Sequence, residues 1–501
     1  MVITPSELPL TGILNICCSL RHYLIEIRLP NTIIKSGVKL CVQCDGPELH
    51  VWLAVCISFR GDTMQFNRRT LLKGIGAAGA TLAYSGFASA STGVAQYIVG
   101  ARGNRARSRV ENAGFTVRHE LAEGEVLVVT GPEDAVSDLE RVQNVRSVSR
   151  DVTFELELPE LEKEADTFEE QGSLEELQWD NDIQDVASAH ELTTGDNTRI
   201  AIIDTGIDLD HPDLKNVNEE AGAAFVLDDD VPERGPDDPS GHGTHVAGIA
   251  AATGDEGVVG VAPDAELIPI RVFPEDGGAA FGDILAGIDY AADVDADVAN
   301  FSLGIPGVQE PEADLNQLRA EVQTVFQSVT QRGTVITGSA GNDTGNLQQG
   351  GGFTLPNSVP AVITVSATSP ADTLSFYSNF GTSDIDVAAP GGWYETVERT
   401  LGEAGEDGDI PFPFNGVLST YPTDLESSVE LPGYDFLSGT SMAAPQVAGL
   451  VALVRALEPD NNANQVESLI KQGAELVNGQ NDPAFGAGRI NAFDTVNNIS
   501  N

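Results

Sequence analysis

Ser441, His242 and Asp204 have residue types and settings that suit nucleophilic catalysis. Ser441 sits in Ser438-Gly-Thr-Ser441-Met-Ala-Ala-Pro445, at the head of an apolar stretch that reads as helix to about Leu457. A serine hydroxyl attacks a carbonyl only when a base removes its proton, and that base needs a carboxylate to orient it. Free N–H groups at a helix N-terminus also favour a developing negative charge. Pro445 is expected in the first turn, where a missing N–H costs little. His242 lies in Gly241-His-Gly-Thr-His245-Val246, whose glycines let another chain approach the imidazole. Asp204 closes the apolar run Arg199–Ile203 and opens Asp204-Thr-Gly206.

A sheet is needed to hold these positions together. Short apolar runs at Arg199–Ile203, Glu266–Phe273, Val298–Phe301, Thr334–Thr337 and Ala361–Ser366 alternate with helical stretches. The clearest helix is Glu312–Thr330, with Leu318, Val322, Val325 and Val329 on one face and Gly333 past its end. The pattern predicts an α/β fold: a parallel sheet with helices on both faces, binding its ligand at the carboxyl ends of the strands. Upstream, residues 96–151 read strand–helix–strand–strand–helix–strand, a small ferredoxin-like α+β unit. The expected divisions are 91–154 for that unit, 155–176 for a Glu-rich linker and 177–501 for the α/β domain.

Charge excludes several functions. The 27 Lys+Arg against 76 Asp+Glu leave a net charge of −49, which repels phosphate and anionic lipid, so neither nucleic acid nor a membrane surface is an expected partner. All five cysteines precede residue 63, and residues 1–63 are neutral, whereas residues 64–501 hold 22 basic and 71 acidic residues with only four lysines. Cys41-Val-Gln-Cys44 has no second ligand pair at metal-binding spacing. From Met64, Arg68-Arg69, a mildly apolar stretch and Ala88-Ser-Ala90 follow one another as in an export signal, and the arginine pair resembles a twin-arginine leader. Residues 64–90 are therefore expected to be a signal peptide, and residues 1–63 an over-extended N-terminus. Few lysines on an acidic surface point to a salt-loving source.

The order Asp…His…Ser now carries a resemblance. Asp204-Thr-Gly-Ile-Asp208, Gly241-His-Gly-Thr-His-Val-Ala-Gly248 and Gly439-Thr-Ser-Met-Ala-Ala-Pro445 together resemble the subtilisin-like serine proteases (subtilases, peptidase family S8), among them the halolysin-type secreted enzymes of haloarchaea, from about Trp179 to Ile490. The resemblance implies Ser441 as nucleophile, His242 as general base and then acid, Asp204 as the residue orienting the imidazole, and Asn342 of Ser339-Ala-Gly-Asn342 as oxyanion donor beside the Ser441 N–H. It implies that Ser302, Leu303 and Gly304 pair with substrate as an added strand, and that Ser339, Ala340 and Gly341 wall the pocket for the residue before the scissile bond. It further implies protein or peptide substrates, no cofactor for the chemistry, secretion as a monomer without a membrane anchor, and a self-processing precursor whose propeptide inhibits the enzyme intramolecularly.

Four features depart from the resemblance or compete with it. Gln446 stands where the family often has histidine, and Gly392–Glu430 looks like an insertion. Asp213 matches a residue that often binds structural calcium, yet Thr253–Gly257 lacks the usual asparagine partner. His245 is expected to be a packed neighbour of the base, and Asp228–Asp230 with Asp237-Asp238 a solvated acidic face. Asp343-Thr-Gly345 is a second D-T-G, the mark of aspartic proteases, but no apolar strand leads into it. The non-enzymatic alternative is a catalytically inactive secreted subtilase-like binding protein.

Overall fold

The structure, a computed structural model, describes four short strands between residues 22 and 63, and residues 94–501 apart from 104, 155, 157, 160, 162–172, 227–234, 276–277, 304–311, 349–358, 382, 404, 477–482 and 501. The signal-peptide reading of 64–90, all five cysteines, most of the Glu-rich linker, Gly304 and Asp228–Asp230 lie outside the described residues. Met1–Ala90 and Ser91–Asn501 are separate units. The first contains an antiparallel hairpin, β1 (His22–Leu29) with β2 (Thr32–Lys39), and a two-residue pair, β3 (Ser58–Phe59) with β4 (Asp62–Thr63).

The second unit opens with the expected small α+β fold. β5 (Val94–Ala101), α1 (Ala106–Asn112), β6 (Thr116–Leu121), β7 (Val126–Pro132), α2 (Val136–Glu140) and β8 (Val145–Arg150) form an antiparallel sheet in the order β6-β7-β5-β8. Strand alternation gives it two apolar faces. Tyr97, Val99, Leu127 and Val129 pack with Val110 and Leu139 into a core of their own, while Ile98, Val126 and Val128 join the core of the larger domain. The chain then makes β9 (Thr153–Phe154).

Downstream lie α3 (Trp179–Ile183), α4 (Val186–His190), β10 (Arg199–Asp204), β11 (Ala223–Ala224), α5 (His242–Ala251), β12 (Glu266–Arg271), β13 (Ala279–Ala280), α6 (Phe281–Asp293), β14 (Val298–Phe301), α7 (Glu312–Gln331), β15 (Val335–Ser339), β16 (Val362–Thr368) and β17 (Val387–Pro390). Seven of these strands form one parallel sheet, β11-β12-β10-β14-β15-β16-β17. Along β10, Ile200 and Ile202 belong to the core with α5, whereas Ala201 and Ile203 belong to the core with α6 and α7. This alternation is why the strands read as continuous apolar runs. β11 and β17, absent from the sequence reading, are too short or too small in side chain to announce themselves.

After β17 come α8 (Val397–Thr400), β18 (Val417–Thr420), β19 (Tyr434–Leu437), α9 (Thr440–Leu457), α10 (Ala463–Gly473) and α11 (Ala492–Ser500). The segment expected as an insertion therefore contributes a strand: β18 pairs antiparallel with β19 and hydrogen-bonds α5, through Ser419 Oγ to the His245 carbonyl (2.8 Å) and Thr420 Oγ1 to the Thr244 carbonyl (2.7 Å). Among the described residues, α9 alone is long and apolar enough to span a bilayer, and it is buried within this core. Pro445 lies in the interior of α9, not in its first turn.

Candidate active site

Asp204 and His242 are brought together by β10 and α5. The Asp204 carboxylate is fully buried at the carboxyl end of β10, and its Oδ1 accepts from His242 Nδ1 at 2.7 Å and from the Thr205 N–H at 2.8 Å. With the proton on Nδ1, His242 Nε2 is left as the acceptor; it is buried and has no hydrogen-bond partner. Such an imidazole is in the tautomer that can take a proton. The glycines do what their positions require: a Cβ on Gly243 would lie 2.1 Å from the Gly206 carbonyl, so only glycine lets the histidine turn lie against Asp204-Thr-Gly206.

Ser441 is the second residue of α9, and it is gripped by the end of β14. Its Oγ donates to the Ser302 carbonyl at 3.0 Å, and its own carbonyl accepts from Ser302 Oγ at 2.8 Å. Asn342 follows β15; its Oδ1 accepts from both the Thr440 N–H (3.0 Å) and Thr440 Oγ1 (2.9 Å), which turns its NH₂ the other way. A methyl group on Gly439 would lie 3.6 Å from Asn342 Nδ2 and 3.6 Å from the Ser441 nitrogen, so these two donors border one small space. Leu158, four residues beyond β9, places its Cδ2 at the same 3.6 Å from that point. β9 itself pairs antiparallel with β13.

The other predicted site residues have the following surroundings. Ser339 ends β15 with 1% exposure, Ala340 N–H donates to Val365 O at 2.9 Å, and Gly341 N–H donates to Thr440 Oγ1 at 3.0 Å. Leu303 is buried in the core with α6 and α7. His245 is the packed neighbour expected: its Nε2 faces the carbonyls of Val417 (3.2 Å) and Asp435 (3.1 Å), and burial pushes its imidazole down to about 3, so it stays neutral. Gln446 donates to Asp180 Oδ2 at 2.8 Å and accepts from Gln184 Nε2 at 2.9 Å, tying α9 to α3. Asp343 is exposed and holds the Asn379 amide, whereas Asp204 is buried on an imidazole, so the two D-T-G aspartates do not make a carboxylate dyad. Thr440 and Leu158 were assigned no role in the sequence reading. Thr440 was within sight, one residue before Ser441; Leu158 carries no motif.

Asp213 does not fit the calcium role. Its Oδ1 accepts from the Glu256 N–H (2.7 Å), and its Oδ2 from the Val258 N–H (3.0 Å) and the Tyr434 hydroxyl (2.9 Å). The loop turns N–H donors toward the carboxylate, the wrong polarity for a cation, which takes carbonyl and carboxylate oxygens. Among the described residues no three His, Cys, Asp or Glu side chains are grouped to hold a metal.

Comparison with known proteins agrees with this architecture. Residues 195–488 match the Subtilase family (Peptidase_S8). Thermitase from Thermoactinomyces vulgaris is 33% identical over 314 residues, covering 62% of this chain and 91% of thermitase. Subtilisin Savinase from Lederbergia lenta is 32% identical over 311 residues, 62% of this chain and 94% of that one. The crystal structure of a lanthipeptide protease superposes with a TM-score of 0.55 at 28% identity, covering 65% of this chain and 95% of that one. The epidermin leader peptide processing serine protease of Staphylococcus aureus shares the fold, with a TM-score of 0.63 at 24% identity over 81% of this chain and 98% of that one. The chain belongs to the subtilase family and is a serine-type endopeptidase that needs no cofactor for its catalysis.

Proposed function

We propose that Ser441, His242 and Asp204 form the catalytic triad, with Asn342 Nδ2 and the Ser441 N–H as the oxyanion donors. His242 Nε2 takes the Ser441 Oγ proton as Oγ bonds to the scissile carbonyl carbon, and the oxygen's new charge falls between the two donors. The proton then passes to the leaving amine, giving an acyl-enzyme that water hydrolyses by the same route in reverse. The observation that carries this reading is the buried 2.7 Å pair of His242 Nδ1 and Asp204 Oδ1, which leaves Nε2 without a partner. Replacing Ser441 with alanine should abolish peptide turnover and labelling by a fluorophosphonate; turnover that survives removes Ser441 from the role.

The same reading makes residues 91–154 an inhibitory propeptide and 155–176 its link to the enzyme. Leu158 supports it: its side chain sits against Gly439, two residues before Ser441. Self-processing within this stretch would free the cleft, and the Ser441→Ala chain should stay uncut in a protease-free host. Export through the twin-arginine route is supported by Arg68-Arg69 and Ala88-Ser-Ala90, and function in concentrated salt, as in halolysin-type enzymes, by the acidic, lysine-poor composition.

A further inference from the structure

Pro445 sits inside α9 without an N–H, and the carbonyl it would have bonded, four residues back, is that of Ser441. Both residues are buried, so that carbonyl would be left without a partner in the core of the site. The Ser302 hydroxyl takes it instead, at 2.8 Å. A carbonyl can only accept, so the hydroxyl must donate there and accept elsewhere; Asn300 Nδ2 supplies that donor at 3.0 Å. The Asn300 Oδ1 then accepts from Thr337 Oγ1 at 2.9 Å. Every link runs in the same sense, Thr337 to Asn300 to Ser302 to Ser441, and the three donors' residues have 0% exposure. Aligned bonds in a dry interior strengthen one another.

We propose that Asn300, Ser302 and Pro445 are positioning residues for the nucleophile: the proline withholds a helix hydrogen bond so that the Ser302 hydroxyl can fix the Ser441 peptide from β14. This rests on the reading of Ser441 as nucleophile. Anchoring its carbonyl sets the direction of the Ser441 Cα–Cβ bond independently of how α9 breathes. The Ser441 hydroxyl is itself held by the Ser302 carbonyl at 3.0 Å, so both polar ends of the residue are fixed by Ser302. Holding reacting atoms in a narrow geometry contributes to kcat far more than to ground-state affinity.

The test is a double-mutant cycle on the full precursor, with maturation completed by an unrelated protease that is then removed. Ser302→Ala should lower kcat by about 10- to 30-fold with KM within about twofold, and Ser302→Thr, which keeps the hydroxyl, should recover most of it. Pro445→Ala returns an N–H to the Ser441 carbonyl, so in that background Ser302→Ala should cost less than about threefold. Multiplicative effects of the two substitutions, or a loss confined to KM, would overturn the proposal. If Ser302→Ala does not fold, Thr337→Val carries the test: a fall in kcat of a few fold at unchanged KM supports the relay, and unchanged kcat overturns it. Stoichiometric fluorophosphonate labelling of the parent enzyme checks the nucleophile separately, so failure there sinks the Ser441 assignment rather than the relay.

Discussion

The Tyr434 hydroxyl donates to Asp213 Oδ2 at 2.9 Å, joining β19 to the loop after β10. With the Glu256 and Val258 N–H groups on the same carboxylate, Asp213 is satisfied by the protein alone. Tyr434→Phe should cost about 1.5–3 kcal/mol, the range for a hydrogen bond to a charged group. Asp213→Asn should destabilise the enzyme equally with calcium and with EDTA at matched ionic strength, read by thermal unfolding. A loss seen only in calcium would make Asp213 a ligand after all.

Asn342→Ala should leave folding and KM nearly unchanged and lower kcat by about 10²–10³, the range known for a side-chain oxyanion donor in subtilisin itself. Thr440→Val should give a milder kcat loss, because Thr440 Oγ1 donates to Asn342 Oδ1 and so acts only by orienting the amide. Steady-state kinetics on a chromogenic peptide decide both; an unchanged kcat in Asn342→Ala would remove it from the site.

On the proposed reading of residues 91–154 as a propeptide, its release should depend on pH through Asp151. Its carboxylate accepts from Gln96 Nε2 (2.7 Å) and the Gly282 N–H (3.0 Å), and burial pushes its pKa up to about 6, with Asp283 adding to the rise. A carboxylate whose pKa is raised by docking binds a proton on docking, so the docked state is favoured at low pH. That advantage is complete below the free value of 3.8 and is lost as pH rises through about 6. Affinity of the cut segment for the enzyme, followed as the gain of turnover on its release, should therefore fall about tenfold from pH 5 to 7.5. Asp151→Asn should flatten the profile; a slope unchanged in that variant would assign it to another group.

Salt should govern stability. At 0.01 M salt the Debye length is about 30 Å and the acidic residues repel one another across the molecule; at 1 M it is about 3 Å. With a net charge of −49, unscreened repulsion works against a net stability that is typically only about 5–15 kcal/mol. Circular dichroism and activity should be native in molar KCl and lost on dialysis to 10 mM buffer, with sucrose giving no equal protection. A native spectrum after that dialysis would end the salt-loving reading and leave the protease untouched.

Much of the site was legible because its chemistry leaves little choice of residue. A carboxylate after an apolar strand, a histidine between glycines and a serine heading an apolar helix can each be read within eight residues. The two-faced sheet was legible for a similar reason, since strands buried on both sides cannot hide their apolar runs. What escaped depended on distant partners. The use of Asp213 is decided by Tyr434, 221 residues further on, and a motif cannot report that. Pro445 looked like a harmless first-turn proline because its effect appears only when Ser302 arrives from another strand. Leu158 and β18 lie in segments whose composition reads as linker or insertion, and only the packing gives them neighbours.

The hold of residues 91–154 on α6 and α7 combines apolar contact with two ion pairs, Arg118 to Asp283 at 2.7 Å and Arg146 to Glu321 at 2.6 Å, both onto carboxylates with 1% side-chain exposure. While the chain is continuous, this docking is intramolecular, and a short tether keeps the occupant at an effective concentration of about a millimolar whatever the volume around it. A single cut between β9 and α3 would turn the same contacts into a bimolecular equilibrium. From then on the size of the compartment matters: the enzyme would stay silent where it is crowded and wake when it is diluted, with no activator other than empty space.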